Sequence, residues 1–427
     1  MSPLHVLVRS SVRARLGFRL PGSVDHSQHA LFADGLLASA SDAVLPFLPL
    51  YLVFLGATAT EVGLLSILGG LAGLLALVPG AWLAQRSRSL KAVVLLGGGG
   101  VARLGLLALA VIPFALDGRR AVAAVLVVAG VRALANMIGH PSWIAVFAAV
   151  VPAEARAKYA ARRSLGISLI AMAAVPLMGL IVSRIGGVSG YQVALIVAGT
   201  VGFISTGCYS LIREPADRPP PRPAGYRRML VDGAFSRFLL TTGVLHTASM
   251  VAGPFLILHL SRDLGASAAQ VGTLTTMEAI AAVCGQAVVG TLITRFGSRR
   301  VFIASMALMP AIPLLWLGIA TPWQAALPYL LTGLAWSMCN LAAFDLLMQS
   351  APQSELGRYA AAQQAMVLLA GFLGPVLGTV VVTAWGIQAL FVVSAVGRGL
   401  ALAAYAAPRM AVRSWPLIGP LVQRRRA

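Results

Sequence analysis

The chain is 427 residues long, 58% apolar and only 11% charged, with a formal net charge of +20. A soluble domain carries about a quarter of its residues as charges. This composition, with a mean hydropathy of +0.85, therefore excludes a water-soluble globular protein. Apolar runs near the roughly 20 residues that cross a bilayer as a helix follow one another with short breaks, and the alternation of a membrane β-strand is absent.

Residues 1–29 form a basic segment with no apolar stretch of secretory-signal type. In it Leu4, Val8, Val12, Leu16 and Leu20 recur every four residues among Arg9, Arg13, Arg15 and Arg19. That spacing suits a helix lying on the membrane surface; an unstructured basic tail fits the same residues. Six apolar spans follow within 30–212, at 31–55, 61–84, 92–115, 121–148, 162–183 and 191–212. The Pro/Arg-rich stretch REPADRPPPRPAGYRR (213–228) cannot be a membrane helix, and 213–232 reads as a cytoplasmic linker. Six more spans lie within 233–408, at 236–260, 269–293, 300–320, 324–349, 362–384 and 387–407, ahead of a basic tail at 409–427. The expected fold is all-α, with twelve transmembrane helices.

The excess positive charge has a topological reading. With the N-terminus in the cytoplasm, 26 Lys/Arg fall on the cytoplasmic side, 4 outside (Arg119, Arg120, Arg184, Arg262) and 3 within helices. This is the positive-inside pattern, and it sets both termini in the cytoplasm of a plasma (inner) membrane. The basic loops lack interleaved aromatics and any binding motif, so no nucleic-acid partner is expected. Cys208, Cys284 and Cys339 lie in predicted spans and imply no disulfide framework.

The chain repeats itself. PFLPLYLVFLGATATEVGLLS (46–66) returns as PFLILHLSRDLGASAAQVGTLT (254–275), GAWLAQRSRS (80–89) as GTLITRFGSR (290–299), and PAEARAKYAA (152–161) as PQSELGRYAA (352–361). Offsets of 199 to 210 residues give two six-helix units in parallel orientation. Two such bundles about an axis along the membrane normal are an established transporter design, with the site between them at mid-membrane.

On these repeats, from 30 to 408, the sequence resembles the major facilitator superfamily. In that family the loop between helices 2 and 3 carries G-x-x-x-D-R-x-G-R-R, echoed between helices 8 and 9. The first copy is matched loosely at Gly80, Arg86 and Arg88, the second better at Gly290, Arg295, Gly297, Arg299 and Arg300. The acidic residue is missing from both, replaced by Ala84 and Thr294. The resemblance makes these the cytoplasmic gate loops, with Asp345 as a further gate residue near Arg295, Arg299 and Arg358. Arg132 is similar to the buried arginine of a second family motif, R-x-x-x-G, with Asn136 at its glycine. GFLGPVLG (371–378) resembles an antiporter-associated motif more closely than AAVPLMG (173–179) does.

Chemistry should reside in the intramembrane polar groups, because a charge at the bilayer centre costs about 2.5–3.5 kcal/mol or more and usually pairs or lines a watery path. At 1.5 Å per residue, Asp42, Arg132, His246, Arg103 and Arg398 all lie roughly 18–21 Å below the outer ends of their helices. The family's cavity helices are 1, 4, 7 and 10, which implies that Asp42, Arg132 and His246 face the transport path and puts Arg103 and Arg398 on peripheral helices. Arg132, Asn136 and His140 form one polar stripe on helix 4. Across antiparallel helices Asp42 is expected to face Arg132, and Asp34 to face His140. Asp42 reads either as a proton-titrating carboxylate tuned by Arg132 or as half of a fixed brace. Asp34, His140 and Glu278 join the proton-coupling candidates. Asn136, His246, Asn340, Trp336, Phe47 and Met250 are the substrate-binding candidates.

Other signals are set aside. Gly187-Val-Ser-Gly190 imitates a serine-protease motif but falls in an outer turn, and Asp25-His26-x-x-His29 lacks a fourth metal ligand. No phosphate-binding loop is present, and Gly97 to Gly100 read as helix-packing residues. No metal, cofactor or catalytic constellation is expected, and the chain is not read as an enzyme. The favoured function is a secondary carrier of a small solute, coupled to protons or another ion and exporting amphipathic or drug-like compounds. A proton-coupled uptake symporter, and a non-transporting receptor or enzyme of the same fold, are the alternatives. The partners are the solute, the ion and lipid; oligomeric state is not readable.

Overall fold

The computed structural model describes residues 26–214, 233–350 and 356–407. The amphipathic N-terminal pattern, most of the linker and the basic tail lie outside the described residues, as does the side chain of Arg358. The first half comprises α1 (His26–Phe54), α2 (Ala59–Arg86), α3 (Leu90–Ala115), α4 (Gly118–Val150), α5 (Ala153–Ile185) and α6 (Gly187–Ser210). The second comprises α7 (Gly233–Leu258), α8 (Ala268–Phe296), α9 (Ser298–Gly318), α10 (Ala326–Ser350), and the run Leu356–Ala406. That run has 51 residues, far longer than the roughly 20 residues of one crossing. It breaks at Gly386, whose φ of +80° suits only a residue without a Cβ. The break separates α11 (356–385) from α12 (387–406), giving the twelve helices expected.

The helices outrun the apolar spans at their polar ends, because Ala, Arg, Glu and Lys are strong helix formers beyond the hydrocarbon. α5 begins at Ala153 rather than 162. The presumed loop 80–89 is mostly helix, as α2 runs to Arg86 and α8 to Phe296. Gly80 and Gly290 are thus helical. Gly80 packs α2 on α4, and Gly297, at φ +80°, makes the α8–α9 turn. Gly187-Val-Ser-Gly190 is the first turn of α6. The repeat is visible in its capping: Thr58 with Glu61 starts α2 and Ser267 with Gln270 starts α8, each a reciprocal box that satisfies two orphan donors.

Both ends of each bundle return to one face. Arg213 N donates to Ser27 Oγ at 3.1 Å, joining the end of α6 to the start of α1, and Arg237 Nη1 donates to the Ala407 carbonyl at 3.3 Å. We call this the terminal face and its opposite the far face. The far-face ends of all twelve helices contribute to a single apolar core, including Phe47, Leu109, Val125, Phe255, Val271 and Phe391. Toward the terminal face this core divides. One cluster belongs wholly to the first half (Leu31, Leu90, Val146, Tyr159) and another wholly to the second (Phe235, Phe302, Ala342, Tyr405). The halves meet through small residues, as helices in lipid must when close packing supplies the attraction. A Cβ on Gly70 of α2 would land on the backbone of Gly371 in α11, and one on Gly179 of α5 on the backbone of Ala268 in α8.

Candidate functional site

Within the first half, a cavity of about 250 Å³ is lined by α1, α3, α4, α5 and α6. Asp34 and Asp42 enter it from α1, Arg103 from α3, Asn136 and His140 from α4, and Arg163 from α5. α3 can stand against α4 and α6 because its Gly97–Gly100 run has no side chains. A Cβ on Gly97 would meet the Ala135 carbonyl at 2.5 Å, and one on Gly99 would meet Thr206 at 2.6 Å. The same stretch, Leu95–Val101, is wound as a π-helix, a widening found frequently at functional sites.

Asp42 sits between two arginines. Its Oδ1 accepts from Arg103 Nη1 at 2.8 Å and from Arg132 Nη2 at 3.3 Å. The Asp42 side chain is 44% exposed, whereas those of Arg103 and Arg132 are 10% and 11% exposed. The two cations are thus sequestered and their shared anion is open to the cavity. Arg103 also donates to Ser41 Oγ at 3.0 Å, and Ser41 in turn donates to the Ala198 carbonyl of α6 at 2.7 Å. The Asp42–Arg132 contact lies where helix depth places it. Arg103 is not peripheral: its long stem passes Gly202 of α6, where a Cβ would strike it, and brings the guanidinium inward.

The second expected rung, Asp34 with His140, does not form. Asp34 accepts from Ser205 Oγ of α6 at 2.7 Å and lies 4.0 Å from Arg163 Nη2. Arg163 reaches α1 because Gly35 leaves it room, and its Nε donates to the Leu31 carbonyl at 3.3 Å. Its guanidinium also covers the Trp143 ring at 5.0 Å. His140 instead stacks on Trp143, ring centroids 6.0 Å apart. Arg163 was not among the expected site residues; the space left by Gly35 of α1 is what admits its guanidinium.

A second cavity of about 280 Å³ lies between α7, α8, α9, α10 and α12 of the second half, with Pro46 of α1 at its wall. Met250, Glu278, Trp336 and Arg398 line it. His246 is beside it, with Nδ1 2.8 Å from the Thr242 carbonyl and its ring 4.9 Å from Trp336. Asn340 is exposed on α10. Phe47 is in neither cavity. It is 1% exposed in the far-face core, against Gly179 and Gly272, because its apolar ring fills the gap these glycines leave between the halves.

At the terminal face, Asp345 does not bond arginine among the described residues. Its carboxylate accepts from Ser298 Oγ and from Gln349 Nε2. Ser298 opens α9, so the carboxylate neutralises a helix N-terminus that carries Arg299 and Arg300. The first half does the same with Glu214, which accepts from Ser89 Oγ at 2.8 Å and from the backbone N–H of Leu90 and Lys91 at the start of α3. Arg86 lies over Trp82 and Arg295 over Phe296.

Twelve helices in two repeated bundles, with buried charge inside each, define a polytopic membrane protein of carrier architecture. The chain belongs to the Major Facilitator Superfamily, which it matches over residues 30–240 and 238–419. It is 27% identical over 160 residues to the multidrug resistance protein MdtG of Enterobacter lignolyticus, covering 36% of this chain and 38% of that protein. The chain thus spans well under half the length of that relative. A bacterial homologue of the iron transporter ferroportin, solved in an inward-facing state, superposes with a TM-score of 0.71 at 15% identity, over 90% of this chain and 98% of the other. The peptide transporter POT in complex with sulfate gives 0.69 at 14% identity, over 91% and 94%.

Proposed function

We propose that this chain is a secondary carrier that moves a small amphipathic solute by alternating access, coupled to protons and in the direction of export. The observation that carries the reading is the division of the core. One apolar layer seals the far face across both halves, while each half keeps a separate core toward the terminal face. That is what one end state of two rocking bundles requires. With the termini in the cytoplasm, as the basic loops favour, this state opens inward. The similarity to MdtG supports export of drug-like compounds.

Asp42 supplies the coupling. Ionised, it neutralises part of the charge of Arg103 and Arg132 and ties α1 to α3 and α4. Protonated, it releases that attraction, so the packing of α1 depends on whether a proton has arrived from the cavity. Proteoliposomes with an imposed pH gradient and a mass-detected panel of amphipathic cations, anions and zwitterions test the reading. Accumulation that a protonophore collapses and that Asp42→Asn abolishes is expected. Gradient-driven accumulation undiminished in Asp42→Asn would exclude the coupling role, and no accumulation of any solute would exclude the carrier.

A further inference from the structure

The repeat register sets Ser41–Asp42 of α1 on Ser249–Met250 of α7, 208 residues on. Both serines or their neighbours tie equivalent helices together: Ser41 donates to the Ala198 carbonyl of α6, and Ser394 of α12 donates to the Ala248 carbonyl of α7, each at 2.7 Å. Each half also buries an arginine, carried on different helices of the repeat: Arg103 of α3 passes Gly202 of α6 to reach Ser41 and Asp42 of α1, and Arg398 of α12 donates to the Met309 carbonyl of α9 at 3.1 Å. The halves differ in the counter-ion. Where Asp42 receives Arg103, the second half has Met250, a thioether that cannot neutralise a cation.

Arg398 is left with its charge unanswered. It is only 6% exposed, its Nε has no partner, and it lines the second-half cavity. A buried guanidinium without an anion is a costly arrangement within a membrane. Glu278 of α8 lines the same cavity and makes no ion pair or hydrogen bond among the described residues. The aliphatic hydroxyls of the wall are already committed: Ser249, Thr275 and Thr332 each donate to a carbonyl of their own helix. What the cavity has to offer is one cation, one anion, the phenolic hydroxyl of Tyr329 and the aromatic faces of Trp316 and Trp336.

We propose that this cavity is a binding site for a zwitterion, a compact apolar or aromatic body bearing one carboxylate and one ammonium. The carboxylate takes the place at Arg398 that Asp42 fills in the other half, in a charge-assisted hydrogen bond. The ammonium goes to Glu278, with the Trp faces adding cation–π attraction. A ligand of one charge would leave the other buried group unpaired, so selectivity arises from what each incomplete ligand fails to neutralise. The proposal names the substrate class of the carrier reading and rests on it for transport, though not for binding.

The test is calorimetric titration of the purified full-length protein in detergent with three ligands of one body: L-phenylalanine, its methyl ester, and N-acetyl-L-phenylalanine. L-phenylalanine should bind about tenfold or more tighter than either single-charge analogue, a gap of about 1.4 kcal/mol. Glu278→Gln should erase its advantage over the N-acetyl form. Met250→Asp, which supplies Arg398 with a built-in carboxylate, should turn the preference toward the ester without relying on loss of a buried arginine. Equal binding of all three, no binding at millimolar ligand, or unchanged selectivity in both variants would overturn the site. Zwitterion binding without gradient-driven transport would leave the site standing and remove the carrier; gradient-driven transport of other solutes with no zwitterion binding would do the reverse.

Discussion

Asp42 receives two arginines on one oxygen, and the three groups are unequal in exposure. Arg103 and Arg132 are almost wholly withdrawn, while Asp42 stays nearly half open. Replacing it with asparagine removes the one anion that both arginines bond among the described residues and leaves two buried cations facing each other. The expected loss is about 3 kcal/mol, the lower part of the range for breaking a buried pair, since Asp42 itself is partly solvated. It should appear as a lower thermal midpoint in detergent. Asp42→Asn/Arg103→Gln should recover part of that loss, because the like-charge contact goes with the arginine; strict additivity of the two changes would contradict the shared-anion geometry. The Asp42–Arg132 contact was legible because depth along two antiparallel helices follows from residue count alone. Arg103 was not. Its place depends on a stem long enough to cross from α3 and on a glycine of α6 that lets it pass, and neither is a periodic signal.

At the scale of the helix, the missing acidic residue of the α2–α3 loop finds a physical replacement. Two carboxylates at the terminal face sit on helix N-termini, Glu214 on α3 and Asp345 on α9. They come from the end of α6 in one half and from α10 in the other, so alignment of the repeats does not bring them into register. Each offsets the unsatisfied N–H groups and positive end of its helix. Glu214→Gln keeps the size and removes the charge, and should weaken the α3 start by about 1–2 kcal/mol. Hydrogen–deuterium exchange would register this as faster exchange at Leu90 and Lys91, with the α9 start unchanged. Faster exchange at both starts would mean that the carboxylate acts globally rather than as a cap. Span positions were readable from hydropathy, but helix ends were not. The turns that carry α5 past the apolar core, AEARAKYAA at 153–161, are mostly Ala, Arg, Lys and Glu, residues that favour helix without favouring lipid. Arg163 reaches Asp34 because Gly35 leaves its guanidinium room.

Across the whole molecule, the repeat announced two equivalent bundles, and their contact explains why the far face is sealed. Glycine at 70, 179 and 272 lets backbones of opposite halves touch, and Gly63 admits the side chains of Phe255 and Thr379. Which face is sealed could not come from sequence, because a repeat serves both end states of a rocking carrier equally. Cross-linking reads this directly. In a background free of Cys208, Cys284 and Cys339, cysteines replace Gly63 of α2 and Thr379 of α11. A Cβ on Gly63 would lie against the Thr379 hydroxyl, so the two positions are in direct contact and a disulfide needs no approach of the helices to form. This pair should oxidise rapidly and stop transport, with reductant restoring it. Cysteines at Ala148 of α4 and Met348 of α10 are at the opposite face, on ends that belong to separate cores. They should oxidise slowly in the resting protein and faster under turnover, when the far face opens and the terminal ends close. Rapid oxidation of both pairs at rest, or no change in either with turnover, would show that the halves do not alternate and that the divided core is a static shape.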